Sequence, residues 1–140
     1  SVCIFARDEK IVKSINEHKF NPKLKYAVFN ENVRATLDLT DLQKTDYLVI
    51  ALPSQNIREV LKKYSMKNKN QQIIIASKGI EIETKLFLKD VVSELINAEN
   101  ISILSGPCFS QEVAQNLPTA VTLAASNRMI FYYCKPSILY

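Results

Sequence analysis

The segment Tyr47-Leu48-Val49-Ile50-Ala51-Leu52-Pro53-Ser54, with its counterpart Ile73-Ile74-Ile75-Ala76-Ser77-Lys78-Gly79-Ile80-Glu81, decides the fold. Each opens with an uninterrupted apolar run of strand length, and each run stops at residues that turn the chain. Apolar runs without alternation are expected of strands buried on both faces, as in a parallel sheet covered by helices. Between them Ile57, Val60 and Leu61 recur at helical spacing, and Ser54 is placed to cap a helix reaching about Tyr64. Strand, helix, strand in this order is a βαβ unit.

The same alternation extends in both directions. Upstream, Val2-Cys3-Ile4-Phe5 reads as a strand, and Asp8 caps a helix through His18 with Ile11, Val12 and Ile15 on its apolar stripe. A polar loop from Phe20 to Asn32 contains the turn signal Asn21-Pro22. A short strand at Val33-Arg34-Ala35-Thr36 and a helical turn from Asp38 to Lys44 follow. Downstream, Thr84 opens a helix to about Ile96 with Leu88, Val91, Val92 and Leu95 on one face. Ile101-Ser102-Ile103-Leu104 is a strand, Phe109 to Asn116 a short helix, and Thr119 to Ala124 a final strand. The predicted class is α/β, a Rossmann-like parallel sheet with helices on both faces. Right-handed crossovers would place the named strand ends on one edge.

Composition narrows the function classes. The formal net charge is +4, with Lys and Arg interspersed among acids, so it favours an anionic small ligand over nucleic acid. The lysines at 62, 63, 67 and 69 read as a solvated helix end and turn. The apolar runs are too short to span a bilayer. Cys3, Cys108 and Cys134 are an odd number without metal-type spacing, which predicts reduced thiols in a cytoplasmic protein and no metal site. The single histidine, His18, reads as a surface residue and leaves little material for a Cys-His or Ser-His-Asp set.

Only two glycines occur, and both follow strands. A chain this poor in glycine keeps it where a tight turn or close ligand approach leaves no alternative. Four strands end in residues suited to a phosphate-bearing ligand: Arg7, Pro53-Ser54, Lys78-Gly79 and Ser105-Gly106-Pro107-Cys108. The carboxyl edge of a parallel sheet is where open α/β folds bind ligands. A lysine there can neutralise a phosphate or polarise a carbonyl, and an arginine can fork onto a phosphate or lie on an adenine. Gly106 before a helix start offers backbone N–H groups. Each position also has a structural reading: Lys78 as a surface lysine, Gly106-Pro107 as a turn into a helix, Cys108 as a small buried hydrophobe.

Several stretches carry a family resemblance. They are Phe5-Ala6-Arg7-Asp8, Asn32-Val33-Arg34-Ala35-Thr36, Leu52-Pro53-Ser54-Gln55, Ala76-Ser77-Lys78-Gly79-Ile80-Glu81, Leu104-Ser105-Gly106-Pro107-Cys108-Phe109 and Leu117-Pro118-Thr119-Ala120. In order and spacing the chain resembles the nucleotide-binding domain of bacterial NAD(P)-dependent glycerol-3-phosphate dehydrogenases from residue 1 to about Asn127. The resemblance implies an oxidoreductase that reduces dihydroxyacetone phosphate to sn-glycerol 3-phosphate with NAD or NADP as cofactor, for phospholipid synthesis. It implies substrate contacts from Lys78, Gly106 and Cys108, and cofactor contacts from Arg7, Pro53, Lys78 and Ser110. At position 108 the family usually has Ser or Thr, and cysteine is a weaker hydrogen-bonding group.

The chain also departs from the family pattern. The first strand and its G-x-G-x-x-G turn, which seat the pyrophosphate on a helix N-terminus, have no counterpart here. In the strand order 3-2-1-4-5-6 that strand is central, so the strands ending before Arg7 and Pro53 are expected to keep unpaired inner edges. The family's helical second domain, with its proton-transfer lysine, has no counterpart either, so no catalytic residue is assigned and the isolated chain is expected to have little turnover and impaired cofactor binding. Arg128 to Tyr140 is expected to be a non-family tail. The expected partners are a small phosphate substrate and either a second copy or a separately encoded remainder of the enzyme. The alternatives are a non-catalytic, partner-completed binding module, or another Rossmann dehydrogenase acting on a small anionic substrate.

Overall fold

A computed structural model describes residues 1–24, 26–96, 100–107 and 109–125. Residues 126–140, which hold the expected tail and Cys134, and Cys108 lie outside the described residues. The chain divides into two units, one built from Ser1–Leu42 with Gly106–Ala120, the other from Gln43–Ser105 with the strand that follows Val121.

The first unit is a βαβ element. Strand β1 (Val2–Phe5) lies parallel to β2 (Val33–Thr36), with Val2 opposite Val33 and Phe5 opposite Thr36. Helix α1 (Glu9–His18) connects them, and the Asp8 carboxylate caps it by accepting from the Lys10 N–H at 2.9 Å. The helix stops where Lys19 takes a left-handed conformation with φ 52°. Ile15 faces inward and is fully buried. One residue on, the Asn16 amide accepts from the Ala35 N–H at 2.7 Å and donates to the Ala35 carbonyl at 2.9 Å, so it pairs with β2 as a strand residue would. A 3-10 turn at Leu39–Leu42 follows β2. His18 is exposed at the helix end, as expected of a surface residue.

The second unit is a four-stranded sheet in the order β3 (Tyr47–Ile50), β4 (Gln72–Ile75), β5 (Ile101–Ser105), β6 (Thr122–Ala125). The β3–β4 and β4–β5 pairs are parallel. Helices α2 (Ile57–Leu61) and α3 (Leu88–Leu95) pack on each other and bury Ile57, Val60, Leu61, Leu88, Val91 and Val92. Alternation along β4 sends Ile73 and Ile75 to one face and Ile74 to the other, where Leu104, Leu123 and Ala125 pack against it. Behind α2, the Tyr64 hydroxyl donates to the buried Gln71 amide oxygen at 2.7 Å, and the same amide donates to the Thr45 carbonyl at 2.9 Å. The lysines at 62, 63, 67 and 69 are exposed.

Four expectations need correction. Strand β3 is not buried on both faces: Leu48 and Ile50 are buried, whereas Val49 is 55% exposed and Tyr47 is 40% exposed. Strand β6 runs antiparallel to β5, with Ser105 opposite Thr122 and Ser102 opposite Ala125. The connection between them, which includes the five-residue α4 (Ser110–Ala114), brings the chain back as an antiparallel edge strand, such as many otherwise parallel sheets carry. Ser54 does not cap α2, because a 3-10 turn at Ser54–Asn56 intervenes and Asn56 holds the cap position. Thr84 does not open α3, which starts four residues later after Phe87. Its hydroxyl is instead bound to Glu81.

The two sheets are separate ladders, β1–β2 and β3–β4–β5–β6. Among the described residues β1 pairs only with β2 and β3 only with β4, which leaves one edge of each open, as the strand order predicts.

Candidate functional site

The carboxyl ends of β3 and β4 adjoin because the strands are parallel and in register. The ladder continues past β4 through the Ala76 N–H, which donates to the Ile50 carbonyl at 2.8 Å. The Ser77 hydroxyl then reaches the carbonyls of Leu52, at 2.6 Å, and Ile50, at 3.2 Å. Lys78 follows, exposed to solvent at the sheet edge. Gly79 turns the chain with φ +108°, a backbone state that side chains rarely adopt. A Cβ there would lie at ordinary contact distance, 3.4 Å, from the Ser54 hydroxyl, so it is the backbone conformation rather than lack of space that calls for glycine.

Past the glycine the chain is held from α2 and its approach. The Gln55 amide donates to the Ile80 carbonyl at 2.9 Å and accepts from the Ile82 N–H at 3.0 Å. Between those two bonds lies Glu81, whose residue is only 4% exposed. Arg58 forks onto it, Nε donating to Oε1 at 2.8 Å and Nη2 to Oε2 at 2.9 Å. The same guanidinium pairs with Glu94 of α3 at 2.8 Å. The hydrogen bonds from Arg58, and secondly from Thr84, hold the Glu81 carboxyl at about 2, well below its ordinary value. The two carboxylates in turn raise the Arg58 guanidinium.

The remaining candidates divide between the units. Pro53, exposed directly after β3, belongs with Lys78 in the second unit. Arg7, exposed after β1, belongs to the first, together with the half-buried Gly106 and with Ser110, the exposed first residue of α4. The Phe109 N–H lies 3.4 Å from the Glu112 carboxylate, which marks the start of that helix. Residues that sequence reading passed over are Gln55, Arg58 and Glu81, which hold the turn. Glu81 stood inside the quoted segment, and an acid followed by Ile and Glu shows nothing locally of its burial.

Parallel strands joined by helices, with candidate residues at strand ends, define a Rossmann-like α/β domain. Residues 1–131 match the family described as NAD-dependent glycerol-3-phosphate dehydrogenase N-terminus, and the chain belongs to that family. It is 36% identical over 131 residues to a glycerol-3-phosphate dehydrogenase [NAD(P)+] of Zymomonas mobilis, covering 93% of this chain and 38% of the relative. It is 41% identical over 126 residues to the enzyme of that name from a Thermotoga species, covering 90% of this chain and 38% of the relative. The crystal structure of a glycerol-3-phosphate dehydrogenase from Coxiella burnetii matches with a TM-score of 0.81 at 26% identity, over 94% of this chain and 41% of that one. This chain therefore spans about two fifths of the length of the relatives it matches. Among the described residues no helix is long and apolar enough to cross a membrane.

Proposed function

We propose that this chain is the cofactor-side part of a glycerol-3-phosphate dehydrogenase, working in the cytoplasm on dihydroxyacetone phosphate and NAD(P)H to give sn-glycerol 3-phosphate for phospholipid synthesis. The observation that carries the reading is Lys78, exposed on a fixed turn at the carboxyl edge of parallel strands, within a family-matching segment. Its ammonium would neutralise the substrate phosphate or polarise the carbonyl as negative charge develops on oxygen. Gly106 and Cys108 would contact substrate, and Arg7, Pro53 and Ser110, with Lys78, the cofactor.

The residues present suit the ends of a dinucleotide better than its middle. Arg7 has the planar guanidinium that suits an adenine face or a ribose phosphate. The pyrophosphate of such cofactors is held by backbone N–H groups of a glycine-rich turn, and residues 1–140 contain two glycines, neither in one. When bound, the cofactor supplies the hydride. The chain's own groups bind and orient, and none is assigned to proton transfer. By this reading the 140-residue chain alone binds cofactor weakly and turns over slowly. Residues 1–127 would form the partial nucleotide-binding domain, and the family match runs on to residue 131, into the stretch 128–140 read from the sequence as a tail.

The open edges of β1 and β3 favour a second element of the reading. Two unpaired apolar strand edges are templates for another strand, so a further strand would complete the sheet.

The test is titration of the purified chain with NADH and dihydroxyacetone phosphate, wild type against Lys78→Met. The expected result is weak binding of both ligands, loosened at least about tenfold by the substitution. NADH oxidation near intact-enzyme rates would overturn the low-turnover element. Binding unaffected by Lys78→Met would overturn the site.

A further inference from the structure

We propose that Arg58 and Glu81 are positioning residues, whose ion pair locks the Lys78–Gly79 turn onto α2 and so fixes where the Lys78 ammonium is presented. The inference rests on the ligand-contacting role proposed for Lys78.

Three side chains tie residues 77–82 back to the β3–α2 region: Ser77, Gln55 and Arg58. Ser77 anchors the residue before Lys78, and Gln55 anchors the residues on either side of Glu81. Glu81 itself goes inward, its side chain 6% exposed, with Oε1 occupied by Arg58 and Oε2 shared by Arg58 and Thr84. Burying a carboxylate costs desolvation energy that an apolar side chain of similar size would avoid. What the forked pair adds is geometry, since two parallel N–H···O bonds restrict both distance and angle. Arg58 is held in turn by Glu94, so the turn, α2 and α3 share one guanidinium.

The link to Lys78 is short. Only two residues, Gly79 and Ile80, separate Glu81 from Lys78, and Gly79 resists no rotation by itself. Loosening the carboxylate therefore frees the backbone from which the lysine stem starts. Misplacement of a binding group by about 1 Å can cost up to about a hundredfold in function.

The two glycines make the test direct. Labelling with 15N-glycine gives two amide signals, Gly79 in the turn and Gly106 in the other unit. Glu81→Gln removes the charge at constant size, and Arg58→Lys keeps the charge but removes the fork. Both are expected to shift or broaden the Gly79 signal while the Gly106 signal stays in place. Titration with dihydroxyacetone phosphate is expected to give about tenfold weaker binding in Glu81→Gln. The same substitution should add nothing in a Lys78→Met background, which separates action through the lysine from general loosening. A Gly79 signal indifferent to both variants in a chain that still binds the phosphate overturns the clamp alone. Equal weakening by Glu81→Gln with and without Lys78 overturns the positioning role. A moving Gly79 signal in a wild-type chain that shows no response to the phosphate overturns the reading of Lys78, and the inference with it.

Discussion

Arg58 and Glu81, 23 positions apart, meet in a two-pronged ion pair with N···O distances of 2.8 and 2.9 Å. The pair joins the Lys78–Gly79 turn of the candidate site to α2, the helix that follows β3. It also makes the site sensitive to acid.

The pH dependence follows from the sign of the shift. Hydrogen bonds from Arg58 first, then Thr84, lower the folded Glu81 pKa from 4.5 to about 2. A carboxyl depressed in the folded state contributes its full stability above the unfolded value near 4.5 and loses it as pH falls through about 2. The urea midpoint of the wild type should therefore fall more steeply between those two values than that of Glu81→Gln, which has no carboxyl to protonate there. Parallel curves would show that the pair does not stabilise the ionised form.

Gly79 and Lys85 are opposite cases of positive φ, at +108° and 63°. Gly79→Ala should destabilise the chain by about 1–3 kcal/mol, because the added side chain meets an unfavourable backbone state. Lys85→Gly relieves a left-handed residue and should fall on the stabilising side, within about 1 kcal/mol of neutral. Urea unfolding of both variants measures the difference, and a tolerated Gly79→Ala would mean that the turn has another low-energy conformation.

Ser102 lies opposite Ile74 in the β4–β5 ladder and is 1% exposed. Its hydroxyl has no hydrogen-bond partner among the described residues. Ser102→Ala should raise stability by about 1 kcal/mol, since an unsatisfied buried hydroxyl carries its desolvation cost uncompensated. Ile73→Ala, one position away on β4, should cost about 2–5 kcal/mol through the cavity it leaves. Chemical denaturation distinguishes the two signs.

Asn16 binds both backbone groups of Ala35. Asn16→Ala strips an N–H and a carbonyl of their partner beside a buried residue and should cost about 1–3 kcal/mol. Asn16→Asp should also destabilise, because a carboxylate still accepts from the Ala35 N–H but repels its carbonyl. Amide hydrogen exchange at Ala35 reports the break locally: protection retained in Asn16→Ala would assign that N–H to another acceptor.

Much of this was legible before any coordinates. The order of strands and helices followed from apolar runs and helical spacing, both local properties that survive wherever the chain packs. Asp8 at the head of α1 and Gly79 after β4 were readable because caps and tight turns restrict residue type at the position itself. The Lys78-Gly79 motif was found for the same reason. Ser54 and Thr84 misled, since a hydroxyl ahead of an apolar stripe looks like a cap while tertiary partners can claim it. The Ser54 hydroxyl accepts from the Gln55 amide, and the Thr84 hydroxyl binds Glu81.

By itself, then, the sequence determined the βαβ alternation, the strand positions and the placement of lysine and glycine at a strand end, because periodicity and turn chemistry are written within a few residues. Only the tertiary structure decided the antiparallel return of β6, the exposed face of β3 and the Arg58–Glu81 clamp. Each of these depends on which distant groups come together, and the energy of burying a charge or pairing an edge is set by that partner.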